Sequence, residues 1–207
     1  MPVARRLPRR LLLACLALCG LAVLTAAPAR ATMSPDEFVR AVGTDTLKAL
    51  SDRGLTSEKR EGLVRTLLTT HLDLEAVGRF CLGRYARNLS DAQRKEYRDV
   101  FEDYLVKVYA QLLSQYNGET LTVREGTRGA GGDSLVESQI NRPSGPPIRV
   151  EWKLHEKDGK LLLTDVIVEG VSMAFTQRQQ FESVIQNNGG KVQALLDAMK
   201  KQIASRR

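Results

Sequence analysis

The sequence predicts an α+β domain with an N-terminal helical region, an antiparallel sheet of about four strands, helices packed on one face of that sheet, and two C-terminal helices. Three observations carry this. Apolar residues recur at helical spacing before Gly118 and again after Ser172. Between those blocks Ile148, Val150, Trp152 and Leu154 alternate strictly with Arg149, Glu151, Lys153 and His155, the period of a strand with one buried and one wet face. Asp158-Gly159 then separates that run from a second apolar run, as the turn of a hairpin does.

Taken in order, Ser34-Pro35-Asp36-Glu37 sets an N-cap serine, a first-turn proline and an N3 glutamate in register, a capping box that opens a helix. Phe38, Val42 and Leu50 continue it until Gly54. A second helix is expected from about Ser57 to His71 with Leu63, Leu67 and Leu68 inward, and a short third after Asp73 with Leu74, Val77 and Phe80. Ser90-Asp91-Ala92-Gln93 is another capping box. The helix it opens runs on to Tyr116, where Asn117-Gly118 stops it. Tyr97, Val100, Phe101, Tyr104, Leu105, Val108 and Leu112 line one side of it. About 26 residues at 1.5 Å each make this element roughly 39 Å long. Strands follow: Leu121 with Val123, Val136 with Ile140, then 148–154, then the returning strand from Leu161 to Val168. Helical period resumes at Met173, Phe181, Val184 and Ile185, breaks at Gly189-Gly190, and closes with Val192, Leu195, Leu196 and Met199.

Ahead of all this stands a basic stretch holding Arg5, Arg6, Arg9 and Arg10, followed by an apolar run from Leu11 to Leu24. The run is shorter than the roughly 20 residues that span a bilayer, and Ala29-Arg30-Ala31 supplies small-residue cleavage chemistry. Residues 1–31 are therefore expected to be a cleaved signal peptide, and 32–207 a single domain; a retained anchor is the competing reading. Arg9-Arg10 is compatible with twin-arginine as well as general export. The formal charge of +7 belongs mostly to this segment. Five of the 31 basic residues lie in it, and the remaining 26 nearly balance the 24 acids. No concentrated basic run is left, so nucleic acid is not an expected partner. Cys15 and Cys19 also fall inside the segment, leaving Cys81 without an intrachain partner.

The residue inventory offers little catalysis. His71 and His155 are the only histidines, and neither has a neighbour that would make it a base or a ligand. There is no H-E-x-x-H, C-x-x-C, G-x-S-x-G or phosphate-cradling glycine loop, so no metal and no cofactor is expected. Cys81, between Phe80 and Leu82, reads as a small buried hydrophobe. What stands out is apolar surface on the long helix and on the 148–154 strand, which by itself describes a core as well as a binding wall.

Three stretches resemble the MlaC (toluene-tolerance) family: Val77-Gly78-Arg79-Phe80-Cys81-Leu82-Gly83-Arg84-Tyr85-Ala86-Arg87; Ser90 and Gln93 with Tyr97, Phe101, Leu105, Tyr109, Leu112 and Tyr116; and Asp165-Val166 with Val168-Glu169-Gly170-Val171-Ser172-Met173, continuing through Arg178, Gln179 and Phe181 to Gly189-Gly190 and Leu195-Leu196. Ala86 stands where family members often have tryptophan, and Cys81 where an aliphatic residue is common; neither change removes a chemical group. The resemblance implies a periplasmic shuttle that holds a glycerophospholipid by its tails. It would pass the lipid between an outer-membrane lipoprotein complex and an inner-membrane ABC transporter with an MCE-domain protein, maintaining outer-membrane lipid asymmetry. Such a carrier has a physical rationale, since exposing two acyl chains of roughly thirty CH₂ groups costs on the order of 20 kcal/mol or more. The tail cavity is expected between Phe101, Tyr104, Leu105, Val108 and Leu112 on the helix and Val136, Ile148, Val150, Trp152, Leu154 and Val166 on the sheet. Two alternatives stand beside it: a carrier of another lipid such as a hopanoid, and an exported enzyme using Asp165 or Tyr85 as acid or base on a lipid in the same cavity.

Overall fold

Pro35–Leu50 forms α1, whose start is the expected capping box: Glu37 N donates to Ser34 Oγ at 3.3 Å and Ser34 N to Glu37 Oε2 at 2.8 Å. The structure, a computed structural model, describes residues 33–52, 54–124, 126–128 and 133–205. The signal-peptide reading of 1–31 lies outside the described residues. Helix α2 (Ser57–His71) is capped by Thr56, and α3 (Leu74–Leu82) by Asp73, which accepts from Ala76 N at 3.0 Å. A 3-10 helix over Gly83–Asn88 leads to α4 (Asp91–Leu113), opened by the second capping box. Helix α4 is 23 residues long and stops three residues before Tyr116, capped at Ser114.

The sheet comprises β1 (Thr120–Val123), β2 (Thr127–Arg128), β3 (Asp133–Asn141), β4 (Ile148–Lys157), β5 (Lys160–Val168) and β6 (Val171–Ser172). All pairings within it are antiparallel, in the order β1-β3-β4-β5-β6 with β2 also on β3. Four strands carry the sheet as expected; β2 and β6, two residues each, are too short to leave a periodic signal. The β4–β5 turn holds Asp158 at φ 52° and Gly159 at φ 73°, the left-handed pair that a tight hairpin of matching twist demands. Two helices close the chain, α5 (Met173–Asn187) and α6 (Val192–Ser205). Among the described residues no helix is long and apolar enough to cross a membrane.

The apolar interior divides in three. Tyr97, Phe101, Tyr104 and Leu105 of α4 pack with Val77, Cys81 and Leu82 of α3 and with Phe181, Ile185, Leu195, Leu196 and Met199 of α5 and α6. Phe38 and Val39 of α1 pack on Val123, Val136, Leu154 and Leu163 of the sheet. Val64 of α2 meets Val106 and Ala110 of α4. Sequence periodicity placed Leu63, Leu67 and Leu68 on the α2 seam, yet the fully enclosed residue there is Val64; the leucines flank it. Helix α4 is thus buried on two sides, and Arg65 reaches across from α2 to Glu102 and, at 2.7 Å, to Asp103.

Residues 71–73 join the layers. His71 sets its ring edge-on to Phe38 at 5.4 Å, Leu72 forms a parallel bridge to Leu163, and Asp73 N donates to Leu163 O at 2.9 Å.

Candidate functional site

The inner face of the sheet is set by cross-strand register. Val136 pairs with Trp152, Trp152 with Val166, Ser138 with Val150, and Val150 with Val168. Side chains alternate along a strand, so these partners share one face with Ile148 and Leu154. On β5 strict alternation would put Leu163 and Asp165 on the same face. A bulge between Lys153 and Leu154, at Thr164, removes that conflict: Leu163 pairs with Leu154 and Val166 with Trp152, both inward, while Asp165 pairs with Lys153 on the opposite face. Trp152, half-buried, donates its indole N–H to Ser138 Oγ at 2.8 Å, and the Ser138 hydroxyl donates in turn to Val150 O at 3.2 Å. A polar group on an apolar wall is thereby satisfied from within the wall. Ser138 was not among the residues singled out from the sequence, because a lone serine on a strand carries no periodic signal.

The helix wall forms separately. Phe101 stacks on Tyr97 with ring centroids 5.3 Å apart and meets Phe181 edge-on at 6.1 Å, and Tyr104 lies 5.8 Å from Phe181. Leu105 is buried in the same cluster and Val108 packs against it. Leu112 is 56% exposed: the last turn of α4 carries it past both the α3–α5–α6 cluster and the α2 seam. Phe101, Tyr104 and Leu105 thus belong to the all-helical cluster, whereas Val136, Leu154 and Trp152 belong to the α1–sheet cluster. Val150, 1% exposed, is part of none of the three.

Two open depressions border the sheet. One, of about 250 Å³, is lined by Met33, Phe38, Glu156, Gly159, Lys160 and Leu161 at the hairpin end. The other, of about 370 Å³, is lined by Thr127, Asp133, Ser134, Leu135, Lys153, Leu154 and Thr164. The first lies below, and the second at the low end of, the roughly 300–1,000 Å³ of pockets that hold drug-sized ligands.

The titratable groups have structural partners. Asp165 accepts from Ser172 Oγ at 2.6 Å and from Ala174 N at 3.0 Å, which ties the start of α5 to β5. Tyr85 Oη accepts from Arg84 Nη2 at 3.1 Å. His155 Nδ1 lies 2.9 Å from Asp133 Oδ1, its cross-strand partner. Burial pushes the His71 pKa down, with Asp45 opposing. At Asp73 burial acts upward, but the Ala76 N–H and the Lys157 ammonium, 3.4 Å away, outweigh it and hold the carboxyl below its ordinary value. Burial, then the charge of Asp165, push the Cys81 thiol up to about 12. Among the described residues no group of three or more His, Cys, Asp or Glu side chains is placed to hold a metal ion.

The MlaC protein family model matches residues 40–201, from α1 to the last turns of α6. The chain is 24% identical over 121 residues to the toluene tolerance protein ttg2D of Pseudomonas putida, covering 58% of this chain and 56% of that one. To the intermembrane phospholipid transport system binding protein MlaC of Haemophilus influenzae it is 25% identical over 132 residues, 61% of each chain. It thus spans less than two thirds of the length of these relatives. Its fold matches that of a phospholipid-binding protein from Ralstonia solanacearum, solved in complex with a phospholipid, with a TM-score of 0.74 and 21% identity over 84% of this chain and 98% of that one. A family match that runs through every element holding the two apolar walls leaves one conclusion about descent: the chain belongs to the MlaC family.

Proposed function

We propose that this protein is a periplasmic, non-enzymatic carrier of glycerophospholipid. It takes lipid from an outer-membrane lipoprotein complex or delivers it to one, and exchanges it with an inner-membrane ABC transporter bearing an MCE-domain protein, so that outer-membrane lipid asymmetry is maintained. The observation that carries this reading is the family match over residues 40–201. The phospholipid held by the Ralstonia protein of the same fold, and the relatives named for phospholipid transport and toluene tolerance, support it.

The tails have their place, in this reading, between the inner sheet face and the α4 wall. The reading is supported by the two apolar groupings, the α1–sheet cluster that includes Trp152 and the all-helical cluster, and by Val150 and Val166 on the same sheet face as Trp152. Two acyl chains need more room than the depressions provide, so the tails enter by parting those two clusters, with Phe101, Tyr104, Leu105 and Val108 as one wall and the inner sheet face as the other. Replacing bilayer by such walls makes transfer nearly neutral, because CH₂ groups lose little on moving between apolar surroundings. Direction then comes from partners with different affinity for the loaded and empty forms.

Mass spectrometry of lipids extracted from the purified protein tests the reading; phospholipid at near-stoichiometric amount is expected, and its absence would overturn the carrier role. Trp152→Asp should lose that lipid while circular dichroism stays native, because a wall that admits a ligand also admits water to solvate the charge. Lys153→Glu, on the opposite face, should keep it. A folded Trp152→Asp protein that still carries lipid would place the tails elsewhere.

A further inference from the structure

The largest exposed apolar side chains of the described residues are not scattered. Of the five, Phe80 (43%), Val171 (53%) and Phe175 (50%) come from the end of α3 and the start of α5. These segments touch, since Cys81 Sγ lies 3.7 Å from Ala174 O. Arg178, three residues after Phe175 and so on the same side of α5, holds its guanidinium 5.4 Å from the Phe80 ring centroid. Gly83, at φ 56°, continues the patch into the 3-10 helix; a methyl group placed on it would lie 3.0 Å from Arg178 Nε and 2.5 Å from Glu182 Oε1. Arg84 follows, exposed, with its guanidinium over the Tyr85 ring.

Charge gives the patch a direction. Residues 78–88 hold Arg79, Arg84 and Arg87, and residues 171–181 hold Arg178, without a carboxylate in either segment. Glu182 pairs with Arg178 at 3.1 Å and offsets one of the four. No basic run is visible in the sequence, because two segments nearly a hundred residues apart contribute the cations. An exposed aromatic pair rimmed by arginine is the composition that sits at an anionic membrane surface: rings enter the headgroup boundary, stems of arginine lie along the apolar groups, and guanidinium groups meet phosphate.

We propose that the Phe80–Phe175–Arg84 face docks this protein onto anionic phospholipid bilayers. This rests on the carrier reading, to which it adds a direct contact with the lipid surface beside the protein partners. Docking through two rings and a few arginines is weak and reversible, and it leaves the tail site between the two clusters free.

Flotation of the full chain with phosphatidylglycerol vesicles, against phosphatidylcholine vesicles, tests it. Differences between variants are read, so the basic and apolar stretch at residues 5–24 contributes equally to each. Binding to phosphatidylglycerol should exceed binding to phosphatidylcholine and weaken as salt is raised. Arg84→Glu should reduce it roughly five-fold or more, and the double variant Phe80→Ser, Phe175→Ser should narrow the difference between the two vesicles relative to the wild type. Phe175→Ser alone, in the exposed first turn of α5, should lower it with an unchanged circular dichroism spectrum. Co-purified phospholipid should remain in every variant, which separates loss of docking from loss of lipid carriage. Equal binding to both vesicles by the wild type, or wild-type binding by Arg84→Glu and by Phe175→Ser, would overturn the proposal.

Discussion

Cys81 packs against the backbone of α5, and a thiol with a pKa near 12 is about one part in ten thousand thiolate at pH 8. The folded protein should therefore resist maleimide or iodoacetamide at that pH and react in full once unfolded in urea, as intact mass would show. Rapid native labelling would mean that α3 and α5 separate readily. Neighbouring positions in the same stretch have equally local reasons. Gly78 donates no side chain because Phe101 lies 3.3 Å from where its Cβ would stand, and its carbonyl accepts from Tyr97 Oη at 2.9 Å. Gly83 adopts a left-handed φ. The Val-Gly-Arg-Phe and Leu-Gly-Arg-Tyr runs that resemble the family are, in physical terms, a close helix approach and a positive-φ stop.

At the scale of elements, α4 shows why a correct periodicity can overstate a face. The 3-4 stripe from Tyr97 to Leu112 is real, but its first part packs in the all-helical cluster and its end is free, while Val106 and Ala110 form a second buried seam against α2. Phe101→Ala should cost about 3–5 kcal/mol, a cavity lined by Tyr97 and Phe181. Leu112→Ala, at an exposed turn, should stay within about 0.5 kcal/mol. Urea midpoints measure both, and a Leu112→Ala loss comparable to that of Phe101→Ala would show that another surface covers Leu112 in solution. Element types and most starts follow from the chain itself, since the capping boxes at Ser34 and Ser90 and the Asp158-Gly159 turn are local chemistry. The short strands β2 and β6 and the bulge at Thr164 are not legible that way. They arise from pairing with β3, β4 and β5, which only the register of neighbouring strands defines.

Across the whole molecule, residues 71–73 couple the helices to β5, and their protonation couples pH to stability. His71 has a folded pKa below its ordinary 6.5, so the unfolded chain binds its proton first and stability should fall as pH drops below about 6.5 towards the lower folded value. Asp73 is depressed below 3.8, and the stability it contributes should be lost as pH falls further, through its folded value. Urea midpoints from pH 8 to pH 5 should decline for the wild type and decline less for His71→Gln. An identical slope for both would show that other groups set the acid limit.

What the sequence by itself determined was the α+β class, the helix starts, the inward set Ile148, Val150, Trp152 and Leu154, and the resemblance to the MlaC family. The helix starts and the inward set rest on local chemistry and spacing within one segment, the class on the order of segments, and the resemblance on motifs in three stretches. Only the tertiary structure decided that the α4 wall and the sheet wall close on different partners, that Ser138 satisfies Trp152, and that Arg178 of α5 lies over the ring of Phe80 of α3. Periodicity states which side of an element is apolar; which apolar sides meet depends on chain crossings and register, and these exist only once the chain has folded.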